Sequence, residues 1–478
     1  MPLPVHLDRR SADPLSAQLA RQVRELLVGG TLRTGDRLPS TRALAAELAV
    51  SRSVTEQAYD QLLAEGWLET RRGAGTFVAP HLLAAHGADA GPAGRGRRAT
   101  VRTAGSPPST ARTDTTAGRA RRPGGDPATL VPLSAGEPWV DPRHSAVWRR
   151  AWREVSAATP PRGYGDPAGL PELRAALADR LATTRGLVVD ADDVLVTAGS
   201  TAGLREVLAA LPPGPVGVED PGYRAAVATA RDAGRTVVDL PAERRHDAAA
   251  LRGLAAVYVT PAHQHPLGRV MPAADRLALL EAARATGTLV VEDDYDSELR
   301  YDVAPVPALA ALDPTRVAYL GTASKSAPPG LRLGWAVLPD ALHDAVLARR
   351  GTVHGDFSWP SQRAMVALLR DGWLDVAVRT ARGVYAARAQ RVAAALAPYA
   401  TAAATSAGMY STWLTSPEAS LRARDAAARA GFGLNLLQDY CRSATLTGLV
   451  VGFGGVTDAE LDGALAAVVA GLAGGPHD

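Results

Sequence analysis

The sequence predicts a multidomain chain: a small helical unit closed by two short strands, then an α/β domain on a mostly parallel sheet. Three observations predict it. Apolar residues at helical spacing run from Pro14 to Trp67 and give way to a glycine-rich turn between short strands. Residues 81–128 are rich in Gly, Ala, Pro, Thr and Arg and almost without large apolar side chains. Beyond them, strand-like runs alternate with helical patterns, the pattern of a parallel sheet covered by helices on both faces. At 478 residues, 46% hydrophobic, the chain is long enough for two or three domains with full cores.

The first helix is read in "PLSAQLARQVRELLVGG", with a glycine stop at Gly29 and Gly30. "LPSTRALAAELAV" is a short helix with Ser40 as N-cap. "SRSVTEQAYDQLLAEGW" starts a third at Ser51, with Val54, Ala58 and Leu62 on one face, and "WLETRRGAGTFV" reads as two strands around a turn. Three helices and a hairpin make a winged helix-turn-helix. Such a unit meets base edges with the first turn of its third helix. That turn offers Arg52, which can fork onto a guanine edge, with Ser51, Ser53 and Thr55 beside it. Arg42 is placed to grip a phosphate, and the wing around Gly75 has two arginines and room for close approach. Each arginine alone could equally be a solvated helix face; their order together points to DNA.

Residues 81–128 cannot bury enough surface to offset the entropy of ordering, so a flexible linker is expected between domains at 1–80 and 129–478. It carries eight Arg against three Asp, which suits a solvated tether or one that also touches DNA phosphates.

Seven candidate strands follow: "DDVLVTA", "GPVGVE", "RTVVDL", "LAAVYVT", "TGTLVVED", "RVAYLG" and "RLGWAVL". From about residue 340 the pattern returns to helices plus a late hairpin of "GMYSTWL" and "TGLVVGF", a second and smaller lobe. In open α/β sheets ligands sit at the carboxyl ends of strands. There this chain places Gly199, Ser200 and Thr201 in a turn opening a helix, Tyr223 in "PGYR", Asp293 and Tyr295 in "EDDYD", and Lys325 after "RVAYLG".

The chain has 52 basic residues, of which Lys325 is the one lysine; the rest are arginine. A primary amine forms a Schiff base with an aldehyde, and a guanidinium does not serve as such a nucleophile at neutral pH. The surrounding residues fit one aldehyde, pyridoxal 5'-phosphate. Asp293 would keep the pyridine nitrogen protonated and Tyr295 would bond the ring hydroxyl. Tyr223 would stack on the ring, and Ser200, Thr201, Thr322 and Arg332 would take the phosphate. Ordinary alternatives exist: "EDDYD" as an acidic loop or metal site, Tyr223 as core, the Gly-Ser-Thr turn as a plain helix cap, Lys325 as a survivor of compositional drift. The cofactor reading explains all of them at once and expects no metal.

Two resemblances follow. Residues 12–79, with LPS-x-R, V-S-R, A-Y-x-L, E-G-W-L and G-x-G-T-F-V, resemble the DNA-binding domain of the GntR family. That implies DNA contacts from Arg42, Arg52, Ser53 and the wing at Gly75, although Glu56 stands where some members carry a basic residue. From about residue 130 the chain resembles fold-type I aminotransferases, subclass I. "YGDPAGLPELR" matches their Y-x-x-x-x-G pattern, which implies that Tyr164 reaches the phosphate of a neighbouring subunit. "TPAHQHPLG" stands where they have an Asn-Pro-Thr-Gly turn, which implies ring contacts from His263 and Gln264. The combination, with "EDDYDSELRY", "GTASK" and "LRLGW", resembles the MocR subfamily of GntR regulators. It implies a head-to-tail homodimer that binds a double-stranded DNA operator and senses pyridoxal phosphate or a small amino compound, with control of vitamin B6 or amino-compound genes as the expected output.

A working aminotransferase with an attached DNA-binding domain is the alternative. Amino-acid transaminases hold the substrate carboxylate with an arginine in a late "x-R-L-x-F" strand; here "LVVGF" has Val450 at that position. The missing charge-assisted pair, worth on the order of 1.5–3 kcal/mol per bond, favours sensing over turnover. The remaining chain-wide features are modest. A net charge of +3 confines any nucleic-acid contact to a local basic surface. One cysteine, Cys441, excludes an intrachain disulfide, and no apolar run of membrane-spanning length appears. A soluble cytoplasmic protein is expected.

Overall fold

The computed structural model describes residues 3–9, 14–71, 75–79, 130–140, 145–301, 307–353, 358–405 and 407–474. The expected linker at 81–128 lies outside the described residues. At the N-terminus come α1 (Leu15–Val28), α2 (Thr41–Glu47), α3 (Arg52–Ala64), β1 (Leu68–Arg71) and β2 (Gly75–Val78). The two strands pair antiparallel, and Leu19, Val23, Leu44, Ala58, Tyr59 and Leu62 close one core beneath them. Ser40 caps α2, its hydroxyl accepting from the Ala43 N–H at 3.2 Å. Ser51 stands at the N-cap of α3 but its hydroxyl pairs instead with that of Ser53 at 2.8 Å.

Next are β3 (Val131–Leu133), α4 (Ser145–Ala157) and α5 (Pro171–Arg185). An alternating run follows: β4 (Val194–Thr197), α6 (Ser200–Ala210), β5 (Val216–Asp220), α7 (Arg224–Asp232), β6 (Val237–Pro241), α8 (Ala248–Leu251), β7 (Ala256–Val259), α9 (Ala273–Thr286), β8 (Leu289–Asp294), β9 (Val317–Thr322) and β10 (Gly334–Val337). The seven strands predicted for this region form one seven-stranded sheet in the order β4-β10-β9-β8-β7-β5-β6, with β10 antiparallel to both neighbours. Because strand side chains alternate, the sheet has two apolar faces. Val196, Val257, Val290 and Val317 meet Leu177 and Leu181 of α5 and Leu280 of α9 on one. Leu195, Tyr258, Val291 and Leu320 meet Leu204 and Val207 of α6 and Val227 of α7 on the other.

The chain ends with α10 (Asp340–Val353), α11 (Trp359–Arg370), α12 (Trp373–Leu396), β11 (Thr401–Ala402), β12 (Tyr410–Leu414), α13 (Pro417–Arg429), β13 (Phe432–Leu436), β14 (Gly448–Gly452) and α14 (Asp458–Ala473). The expected late hairpin is corrected here. β12 and β14 do pair antiparallel, but α13 and β13 lie between them in sequence, so they are neighbours and not a hairpin. Their five-stranded sheet, β11-β12-β14-β13-β3, is completed by β3 from before the large sheet, pairing parallel with β13. Among the described residues no helix is long and apolar enough to cross a membrane.

The winged unit rests on the large domain through the end of α3. The Glu65 carbonyl accepts the N–H of Ala273, the first residue of α9, at 2.9 Å, and Ala273 and Leu277 extend the winged unit's core. The Glu65 side chain is itself committed, taking Arg24 Nε at 2.7 Å and Nη2 at 3.1 Å in a buried pair. Removing one partner of such a pair strands the other charge, at a cost of about 3–5 kcal/mol. Glu65→Ala is therefore expected to lower the melting transition of the winged unit in calorimetry; an unchanged transition would contradict the pair's structural role.

Candidate functional site

The carboxyl edge of the seven-stranded sheet gathers most of the residues singled out in the sequence. After β4, Gly199 turns the chain into α6 at φ 104°, a conformation open to glycine. Ser200 and Thr201 then occupy the first turn of α6, where backbone N–H groups lack helical partners and attract anions. β10 is antiparallel, so it begins where the other strands end, and Gly334 pairs with both Thr197 and Thr322. This brings Arg332 to the same edge, held left-handed at φ 51°. The cradle is close: a Cβ on Gly199 would lie 3.8 Å from Arg332 Nη2 and 3.9 Å from Thr322 Oγ1.

Lys325 follows β9 by three residues, and its Nζ donates to the Gly136 carbonyl at 2.6 Å. A Cβ on Gly136 would lie 3.3 Å from that Nζ, so this approach favours a glycine. Burial holds the amine below its usual pKa, against the opposing pull of Asp296, Asp293 and Glu137. β8 supplies the facing carboxylates. Asp294 points to one side of the sheet, paired with Arg185 at 2.5 Å and bonded by the Tyr319 hydroxyl at 2.6 Å. Asp293 points to the other, where the Tyr258 hydroxyl donates to Oδ2 at 2.5 Å and Oδ1 has no hydrogen-bond partner among the described residues. Burial pushes the Asp293 carboxyl from the ordinary 3.8 up to about 7, with the Tyr258 bond opposing it.

These groups line one cavity of about 180 Å³. Lys325, Asp293 and Tyr295 lie in its wall, as do Gly199, Ser200, Thr201, Thr322, Arg332 and Tyr223. The Tyr295 hydroxyl donates to the His263 carbonyl at 2.8 Å and shares a bond with the Tyr410 hydroxyl at 2.9 Å.

Two expected ring contacts are corrected. His263 turns away from the cavity, its Nδ1 bonded to Asp296 at 2.7 Å and both residues buried. Gln264 uses its amide to staple its own loop, donating to the Pro221 and His265 carbonyls and accepting the Leu267 N–H. The residue of that loop that lines the cavity is His265, edge-on to Tyr223 at 5.6 Å. Burial drives its imidazole down to about 3, so it is neutral. In-register matching of "HPLG" to Asn-Pro-Thr-Gly would have selected it. Gly136, Tyr258, Thr260 and Ser324 also line the cavity without a local sequence signal. Tyr164 lies outside it, 85% exposed.

On the winged unit, Arg42, Ser51, Arg52 and Ser53 are exposed together, and Gly75 opens β2 at φ 112°. Arg52 pairs with Glu56 at 2.7 Å across one exposed helical turn. Thr55 is corrected: it is fully buried, its hydroxyl spent on the Thr41 and Arg52 carbonyls, because the same first turn must also lock α3 onto α2. Arg37, which carried no motif, lies against the wing, 3.2 Å from where a Gly75 Cβ would stand.

A raised carboxyl pKa means that Asp293 contributes stability that is fully present below about 4 and lost as pH rises through about 7. The cofactor-free parent is expected to lose melting temperature relative to Asp293→Asn across that window. A parent-minus-variant difference that is flat with pH would contradict the burial of a bare carboxylate.

Comparison with known proteins places both halves. The aminotransferase class I and II family model matches residues 128–468, and the model of bacterial regulatory proteins of the gntR family matches residues 15–78. The chain is 34% identical over 388 residues to the HTH-type pyridoxine biosynthesis transcriptional regulator PdxR of Corynebacterium glutamicum, covering 80% of this chain and 79% of that protein. It is 35% identical over 408 residues to the probable rhizopine catabolism regulatory protein MocR of Rhizobium meliloti, covering 82% and 78%. Among solved structures, a mutant aspartate aminotransferase of Thermus thermophilus aligns with TM-score 0.62 at 26% identity over 72% of this chain and 96% of that one. An archaeal alanine:glyoxylate aminotransferase aligns with TM-score 0.65 at 23% identity and supports the fold alone. With a gntR-type helix-turn-helix ahead of a fold-type I aminotransferase domain, the chain belongs to the MocR subfamily of GntR-family transcriptional regulators.

Proposed function

We propose that the chain regulates transcription by holding pyridoxal 5'-phosphate on Lys325 and reading either that cofactor or a small amine as its signal. The observation that carries this reading is the content of one cavity: a buried primary amine, a buried carboxylate with a bare oxygen, and an anion cradle. The residues fit the group. Among the described residues Asp293 Oδ1 lacks a partner, and a protonated ring nitrogen would supply one. The α6 N-terminus with Thr322 and Arg332 suits a phosphate. Tyr223 and His265 offer ring faces and edges, and Tyr295 would bond the ring hydroxyl. Pyridoxal phosphate, when bound, supplies an aldehyde that accepts an amine.

The late strand supplies no carboxylate clamp, although another arginine could substitute. Val450 is fully buried in the second lobe's core, opposite Thr412 and Asn435, so β14 sends no cation toward the cavity. That favours the cofactor itself or an amine lacking a carboxylate as the effector. Retention of the amine and the ring carboxylate is what keeps a working aminotransferase as the second reading. Tyr164, exposed and outside its own cavity, is assigned to the phosphate of a partner in a head-to-tail homodimer. Residues 81–128 are assigned as the tether that lets two winged units, each within residues 1–80, meet paired half-sites on double-stranded DNA. Effector binding to the domains at 129–478 would then bias one arrangement of the pair, which requires different ligand affinities in the two arrangements.

Purified protein is expected to be yellow, with borohydride fixing the cofactor to Lys325. Lys325→Arg, which keeps the charge and loses the nucleophile, should be colourless; a yellow variant would refute the attachment. Binding to the DNA upstream of its own gene, measured with and without pyridoxal phosphate, tests the regulatory claim, and steady turnover of amino donors with a keto acid would replace it by the enzymatic reading. Arg52→Ala should weaken specific DNA binding roughly tenfold, the worth of one good bidentate base contact. Cofactor absorbance should be unchanged, and unaltered DNA affinity would contradict the recognition-turn assignment.

A further inference from the structure

Asp296 follows Asp293 by three residues and is buried, with 4% of its surface exposed. Its Oδ2 is held by His263 Nδ1 at 2.7 Å. That pair is clasped against the backbone: a Cβ on Gly408, at φ 64°, would lie 2.7 Å from Oδ2 and 3.1 Å from His263 Cε1. The Tyr295 hydroxyl fixes the His263 carbonyl at 2.8 Å and meets the Tyr410 hydroxyl at 2.9 Å. One carboxylate oxygen of Asp296 is thus locked in place, and the other, Oδ1, has no hydrogen-bond partner among the described residues. A buried carboxylate oxygen without a donor is costly, so the position favours a group that can supply one.

Lys325 is the donor at hand. Asp296 and Lys325 both wall a small cavity of about 20 Å³, room for one water-sized group. Lys325 therefore faces two spaces, the larger with Asp293 in its wall and the smaller with Asp296. Its Nζ rests on the Gly136 carbonyl, a neutral acceptor. Burial lowers the amine's pKa; Asp296 leads the charges that oppose this, ahead of Asp293 and Glu137, while Arg332 acts with burial. His265 is near and neutral. Around Asp296 stand His263 and the hydroxyls of Tyr295, Tyr385 and Tyr410. Asp294 also walls the smaller cavity, but the Arg185 guanidinium at 2.5 Å answers its charge, and Arg180 there is closed by Glu298 at 2.7 Å.

We propose that Asp296 receives the Lys325 ammonium when an amine effector takes over the cofactor, which makes it a positioning residue for the sensing step. This rests on the reading that Lys325 holds pyridoxal phosphate. In the exchange the effector arrives as an ammonium, its nitrogen bonds to the aldehyde carbon, and the bond from that carbon to Nζ breaks. The effector nitrogen gives up three protons and Nζ leaves carrying three, so atoms and charge balance with no other reactant. Asp293 is then taken by the ring nitrogen, and an ammonium left on the Gly136 carbonyl alone would be buried without a counter-ion. Asp296 Oδ1 supplies that counter-ion and holds Nζ away from the carbon it has just left.

The test adds pyridoxal 5'-phosphate to the full-length, cofactor-free protein across a pH series and follows the rate of colour formation, since only the unprotonated amine attacks. Asp296→Asn keeps an oxygen for His263 and loses the charge. Its rate midpoint should fall by about one pH unit or more relative to the parent, as for loss of a nearby opposite charge. Glu137→Gln, an exposed change, should move the midpoint less. An unmoved midpoint in Asp296→Asn, or a larger shift in Glu137→Gln, overturns the proposal; a merely structural role would lower the melting temperature and leave the midpoint alone. A second measurement needs no variant to fold: a crystal structure of the parent with pyridoxamine 5'-phosphate, which has no aldehyde and leaves Nζ free. Nζ should lie about 2.7–2.9 Å from Asp296 Oδ1; Nζ on the Gly136 carbonyl or on Asp294 overturns the proposal. No colour at any pH refutes the cofactor reading and this inference with it, whereas colour with an unmoved midpoint refutes this inference alone.

Discussion

A buried carboxylate left half-satisfied beside the single lysine is the constraint around which the large domain is organised. Burying charge is costly unless each group finds a partner. The end of β8 places Glu292, Asp293 and Asp294 in a row, all buried. Glu292 accepts the N–H groups of Leu309 and Ala310, and Asp294 is met at Oδ2 by Arg185 and Tyr319. Among the described residues Asp293 is likewise answered at one oxygen, by the Tyr258 hydroxyl. The strand thus presents Asp293, and not Asp294, to the Lys325 cavity, at the edge where the helix N-terminus of α6 and the start of β10 bring an anion cradle. The antiparallel direction of β10 is what makes this possible, because a parallel strand would carry Arg332 to the opposite end of the sheet.

The same economy shows in the connection between the two halves. The winged unit is seated on α9, the helix that follows the loop walling the Lys325 cavity. Arg276 supplies bracing there with three carbonyl bonds, to Pro261, Met271 and Pro307, from within the core. A braced element in contact with both a cavity and the winged unit is the kind of structure through which a bound ligand can bias a distant contact.

Much of this was legible in the residues. The seven strands were found because period and apolar content are local properties. Lys325 was found because a chain that spells its other cations as arginine makes a lone amine conspicuous. Three of the four corrected expectations share one reason. Thr55, His263 and the late hairpin each sit in a segment whose local pattern suits the expected role. Thr55 lies in the recognition turn, but its hydroxyl closes the joint to α2. His263 lies in the right loop, but the loop's path turns His265 to the cavity and gives His263 to Asp296. The strands of the late hairpin pair as expected, with another strand and a helix between them.

By itself, the sequence determined the elements, their order, the two families of domain and the one nucleophilic amine, because periodicity, capping residues and amine chemistry are carried by short stretches of chain. The tertiary structure alone decided which of two adjacent aspartates faces the cavity, which of two nearby histidines lines it, and where the winged unit rests. Those choices depend on strand alternation, loop path and the partners that compete for each buried polar atom, and such partners come from segments tens to hundreds of residues apart in the chain.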